Sequence, residues 1–104
     1  MTDHYILDGR KAVRADFMTW ARWLEKADRR VAATHNDHVR VSTVFLGRDH
    51  SFGSGPPLLF ETMIFGGEHD AYQERCTTWK QAEKMHKKAC ALAYGNSQEV
   101  TTAK

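Results

Sequence analysis

Proline and cysteine are both rare in this 104-residue chain, with two of each. The prolines are adjacent, Pro56-Pro57, so they interrupt regular structure at a single place. Cys76 and Cys90 stand fourteen positions apart and form no C-x-x-C pair, which excludes a zinc ribbon. The ordinary expectation for two such residues is a pair of reduced, partly buried thiols. No apolar run approaches the ~20 residues of a membrane-spanning helix. Neither sign of charge dominates. Fifteen Lys and Arg against thirteen Asp and Glu leave a net +2, too small a sum to imply nucleic-acid binding by itself. The opening Met1-Thr2-Asp3-His4-Tyr5 lacks the basic-then-apolar profile of a signal peptide. The expectation is a soluble cytoplasmic protein with no membrane contact and no cofactor.

What is present is an ordinary folding composition. Hydrophobic residues make up 41%, charged residues 27% and aromatics 11%, which argues for a packed core and against disorder. A chain of this length makes one domain. Its expected extent is 1–96, followed by a polar, frayed tail at 97–104.

Tyr5-Ile6-Leu7, the Asp8-Gly9 turn and Lys11 to Arg14 read as a short N-terminal hairpin. Asp16 stands at an N-cap position. Phe17, Trp20, Ala21, Leu24, Ala27 and Val31 then recur on one side of a helix of about four turns. Residues 34–38 break the pattern. Two β-rich runs follow, 39–46 and 58–65, separated by a loop at 47–57 that holds three glycines and both prolines. Residues 66–76 read as acidic and irregular. Thr78 and Gln81 make a capping-box pattern, and Trp79, Ala82, His86, Ala89 and Ala93 recur at helical spacing up to a stop at Gly95-Asn96.

The order strand, strand, helix, strand, strand, helix leads to an α+β, two-layer fold. It has an antiparallel sheet of three to four strands with both amphipathic helices on one face. One feature resists this layout. The two strong strands are apolar on both alternations: Val39, Val41 and Phe45 against Val44 and Leu46, and Leu58, Phe60 and Ile64 against Leu59, Met63 and Phe65. A second face of that kind calls for a cover: the 47–57 loop, a second copy in a homodimer, or another protein.

Three constellations bear on chemistry. His35-x-x-His38, with His50 or His69 as a third group, is the only arrangement that suggests a metal, and it matches no known zinc spacing. His50 and Glu61, with Asp49 beside them, form a possible acid–base couple for a small enzyme or ligand-binding domain, because a carboxylate in mid-strand needs a partner. The ordinary alternative is a structural ion pair of Glu61 with Arg40 or His50. The 47–57 loop is no P-loop and no dinucleotide fingerprint. The clearest pattern is basic. Arg22, Lys26, Arg29 and Arg30 repeat at offsets 0, 4, 7 and 8, and Lys80, Lys84, Lys87 and Lys88 repeat the same offsets. Such stripes suit an acidic protein surface or a phosphate backbone, although the solvent side of an amphipathic helix is ordinarily charged. Arg48 and Phe52 in the loop and Trp23 on the flank of its helix complete a candidate partner surface.

Several segments are similar to a group of small uncharacterised proteins encoded by bacteriophages and prophages. They are Phe17-Met18-Thr19-Trp20-Ala21-Arg22-Trp23, Val41-Ser42-Thr43-Val44-Phe45-Leu46-Gly47, the stretch Gly55-Pro56-Pro57-Leu58-Leu59-Phe60-Glu61-Thr62-Met63-Ile64-Phe65-Gly66-Gly67, whose part up to Thr62 is the most specific, and Thr78-Trp79-Lys80-Gln81-Ala82-Glu83. The likeness spans roughly residues 4–93. It brings no catalytic role to any residue. It implies a phage context inside a bacterial cell and an accessory factor that binds a host or phage protein or ribonucleoprotein, for instance to inhibit a defence system such as a CRISPR effector complex.

Overall fold

The computed structural model describes residues 3–95 and 100–103. Strands β1 (Tyr5–Asp8) and β2 (Lys11–Arg14) pair antiparallel, Asp8 opposite Lys11, around a tight turn. Gly9 takes the positive φ of 63° that this turn requires. Helix α1 (Phe17–Lys26) starts where Asp16 caps it: the Thr19 amide donates to the Asp16 carboxylate at 2.9 Å.

The helix then stops sooner than the sequence suggests. Ala27 is extended, and the Asp28 carboxylate accepts from the Arg30 amide at 3.1 Å, which turns the chain into strand β3 (Arg30–His35). The expected four-turn helix therefore ends before Val31, and a strand the sequence reading lacked takes its place. Val31, buried near the start of β3, stands four positions after Ala27 and seven after Leu24, so a strand residue continues the helical count. A bulge sits there: Arg30 pairs with Val44 but Ala32 with Thr43, so β3 carries one extra residue.

Strands β4 (Arg40–Phe45) and β5 (Phe60–Phe65) form the expected antiparallel pair, with Thr43 opposite Thr62 and Phe45 opposite Phe60. Strand β6 (Gln73–Cys76) joins the β5 edge inside the segment expected to be irregular; Gln-Glu-Arg-Cys carries no apolar alternation because it is an edge. Helix α2 (Trp79–Tyr94) opens on a reciprocal capping box, with Gln81 N–H to the Thr78 hydroxyl at 3.1 Å and Thr78 N–H to the Gln81 side chain at 3.0 Å. Strand β7 (Thr101–Ala103) pairs with β3, so this part of the expected frayed tail lies in the sheet. Residues 97–99 and 104 of that tail lie outside the described residues, as does 96 at the end of the expected domain.

The result is α+β, with a five-stranded antiparallel sheet ordered β6-β5-β4-β3-β7 and the separate two-stranded hairpin, rather than one sheet of three to four strands. Val41, Phe45, Phe60 and Ile64 are fully buried on one face of the sheet, against Ala82, Met85 and Ala89 of α2. The two helices do not share that face equally. Helix α2 packs against β3, β4, β5 and β6, whereas α1 packs mainly against β1 and reaches the core through Trp23, set edge-on to Phe45 at 5.7 Å.

The other sheet face carries Ser42, Val44, Glu61, Met63 and Phe65, all partly or largely exposed. The 47–57 loop does not close over it. The loop's start turns to the hairpin, with a bridge from His4 to Arg48, and Phe52 at its tip is 99% exposed. No helix is long and apolar enough to cross a membrane among the described residues.

Candidate functional site

The α2 sequence sorts itself by angle. At about 100° per residue, Ala82, Met85, His86 and Ala89 point to the sheet while Lys80, Lys84, Lys87 and Lys88 fall on the opposite side. All four lysines are exposed. Lys88 makes a surface ion pair with Glu74 at 3.4 Å. The first stripe fares differently. Arg22 and Lys26 are exposed on α1, but Arg29 follows the helix and Arg30 opens β3, so the four do not form one helical row. With α1 against β1 and α2 across the sheet, the eight cations do not form the joint array that side-by-side helices would give.

The remaining candidates separate. Arg48 is exposed, with its guanidinium 5.0 Å from the centre of the Trp20 ring. Trp23 is half-buried against Phe45 and acts in packing. His35 ends β3 and His38 lies in the turn before β4, while His50 lies beyond the far end of β4. A six-residue strand is roughly 20 Å long, far more than a metal site spans. The three histidines expected as an alternative metal set are thus kept apart. Among the described residues no group of three or more His, Cys, Asp or Glu could hold a metal ion.

Glu61 has the partner its mid-strand position calls for, but not one the sequence suggested. Its carboxylate is bound by Arg75 at 2.9 Å and by the Gln73 side chain, both on β6, rather than by Arg40 or His50. Arg40 instead lies over the Phe65 ring at 4.5 Å. Asp49 closes its own loop, accepting from the amides of Ser51 at 2.8 Å and Leu58 at 3.0 Å. Those amide bonds, Ser51 first, hold its pKa below the usual carboxylate value. His50 donates its backbone N–H to Leu58, and its ring makes no hydrogen bond to Glu61. The His50–Glu61 acid–base couple is therefore not assembled.

The most organised polar cluster is one that sequence reasoning does not single out. His86 is 5% exposed, and both ring nitrogens are bonded: Nδ1 to the Thr43 hydroxyl at 2.7 Å and Nε2 to the Thr34 hydroxyl at 2.9 Å. Thr43 bonds on to the Thr62 hydroxyl, and Thr34 to that of Thr102 at 2.9 Å. The Tyr94 hydroxyl sits 2.9 Å from the carbonyls of Thr34 and Val39. Burial lowers the His86 pKa, favouring a neutral ring with one donor and one acceptor. Burial also raises Cys90 above its ordinary value, and pushes Cys76 up to about 11. Both cysteines are free, half-buried thiols without the lowered pKa that a nucleophile needs. The signal that could have exposed the cluster is the set of threonines at inward strand positions, Thr34, Thr43 and Thr62, each needing a partner once buried.

A groove of about 850 Å³ lies between the hairpin and the start of α2, lined among others by Tyr5, Ala12, Leu59 and Trp79. A smaller cavity of about 380 Å³ lies beside His86 and Cys90.

Comparison with protein-family models, with curated proteins and with solved structures gives no match to this chain.

Proposed function

We propose that this chain works by docking a macromolecular partner, and that the partner is a protein with an acidic surface. One observation carries the reading: the exposed row Lys80, Lys84, Lys87 and Lys88 on the outer side of a helix whose inner side is fixed to the sheet. A rigid helix holds these cations at fixed spacing, which favours electrostatic complementarity and fast, oriented association. Exposed Phe52 at the loop tip and Phe17 and Met18 on α1 supply apolar contacts of the kind that anchor interfaces. The phage-type resemblance makes a host protein, such as a component of a CRISPR effector complex, the first partner to try.

The test compares the tagged chain with its Lys84→Glu/Lys88→Glu variant in capture from nuclease-treated host lysate, with melting curves for both. Lys88 pairs only at the surface, so the variant keeps its fold. The expected result is one stoichiometric protein partner, lost in the variant. Equal capture by the variant would overturn the role of this face. Capture that vanishes with nuclease, and falls steeply with salt, would replace the reading with direct nucleic-acid binding.

A further inference from the structure

We propose that the groove between the β1–β2 hairpin and the first turn of α2 binds a small amphipathic anion, an apolar or aromatic body carrying one carboxylate or phosphate group. The groove shares only Lys80 with the docking face, since Lys84, Lys87 and Lys88 do not line it.

Size and chemistry both fit. About 850 Å³ lies within the roughly 300–1,000 Å³ typical of small-molecule sites. The floor is apolar: the inward side of the hairpin contributes Tyr5 and Ala12, the end of the loop Pro57 and Leu59, and the helix Trp79. The rim holds three cations, Arg10, Lys11 and Lys80, against two carboxylates, Asp8 and Glu83. Asp8 stands directly across the strand pair from Lys11, and Glu83 lies one turn from Lys80. Arg10 lies over the apolar floor, its guanidinium 5.4 Å from the centre of the Trp79 ring. A guanidinium stacked on an indole offers its edge to an anion while the ring offers its face to an apolar group. The positive end of the α2 dipole lies at the same place, with no acidic residue in the first turn to oppose it.

The Trp79 indole is a natural reporter of the groove: its ring lines the floor, while its Nε1–H is buried and, like that of Trp20 outside the groove, has no hydrogen-bond partner, so an anionic group in the groove is read by the rim cations rather than by the indole.

The experiment records ¹⁵N–¹H spectra of the full chain during titration with 1-naphthoate, 1-naphthyl phosphate and the neutral 1-naphthalenemethanol. The Trp79 indole resonance is assigned with Trp79→Phe. The expected result is saturable, one-site binding of an anion that moves the Trp79 indole and Ala12 amide signals. Affinity should fall about tenfold in Arg10→Gln/Lys80→Gln and stay unchanged in Lys84→Gln. Binding of both anions supports a site that reads charge alone; binding of one supports the site and identifies its head group. The proposal is overturned if neither anion moves the Trp79 signal, if the neutral alcohol binds as tightly, or if the double variant binds as well as the parent.

Discussion

The hydroxyl of Thr43, at the centre of β4, lies 2.7 Å from Nδ1 of His86, two turns into α2. Helix and sheet are thereby joined by a hydrogen bond in the middle of an otherwise apolar contact. The bond is part of a chain, Thr62–Thr43–His86–Thr34–Thr102, that crosses β5, β4, α2, β3 and β7 in turn. Each hydroxyl has one proton to give, and a neutral imidazole donates from one nitrogen only, so the His86 tautomer fixes the direction of donation on either side of the ring.

This chain makes stability depend on pH in a defined direction. Burial holds the native His86 pKa below its ordinary value of 6.5. As pH falls below about 6.5 the unfolded chain takes up a proton that the native one refuses, so stability is lost progressively until the native pKa is passed. Urea midpoints measured from pH 7.5 to pH 5 should fall for the parent protein and vary less for His86→Asn. Parallel curves for the two would remove His86 as the cause.

Thr43→Val keeps the shape of the side chain but removes the hydroxyl shared by His86 and Thr62. It leaves buried polar atoms without partners and should cost about 1–3 kcal/mol in urea unfolding. Thr62→Val should cost less, because Thr43 retains its bond to His86. A reversed order would mean that the Thr43–Thr62 contact, not the helix–sheet bond, is the stabilising one.

Two phenylalanines give a contrast that burial alone decides. Phe60 is fully buried, with Phe45 at 5.2 Å and Trp79 at 6.2 Å between ring centres. Phe60→Ala should cost about 3–5 kcal/mol, a large share of a domain's total of about 5–15. Phe52→Ser at the exposed loop tip should change stability by less than about 0.5 kcal/mol while weakening partner capture. Thermal melts and capture, run on both variants, check the two expectations together.

The Cys76 thiol, raised to about 11 by burial, should react slowly. At pH 8 its alkylation by iodoacetamide should run about a hundredfold slower than that of an unperturbed cysteine. The rate should keep climbing between pH 10 and about 11, where an ordinary thiol has levelled off. Mass spectrometry of Cys76-containing peptides follows it, and a plateau by about pH 10 would contradict the shift.

Elements set by contacts close in sequence were legible from the residues. The hairpin turn at Asp8-Gly9, the Asp16 cap, the Thr78–Gln81 capping box and the pairing of β4 with β5 each depend on neighbours or on a long β-rich run. The strands that periodicity does not mark are β3, β6 and β7, each defined by what it pairs with. Val31 of β3 falls in step with the apolar side of α1, and the edge strands β6 and β7 carry few apolar residues because one side has no sheet neighbour. The double-sided apolar pattern of β4 and β5 implies a face needing cover, and the structure leaves that face open, with Arg40 on Phe65 and Glu61 between Arg75 and Gln73.

The sequence by itself determined the α+β class, the two helices and their caps, the central strand pair and the exposed lysines of α2, because each follows from periodicity or from a side chain bonding its own local backbone. Only the tertiary structure decided that His86 meets two strand threonines, that Glu61 pairs across to Arg75, that His35 and His38 stand a strand's length from His50, and that the hairpin and α2 flank a groove with cations at its rim. Those relationships join residues far apart in the chain. They depend on strand order and on where α1 gives way to β3, and no local pattern records either.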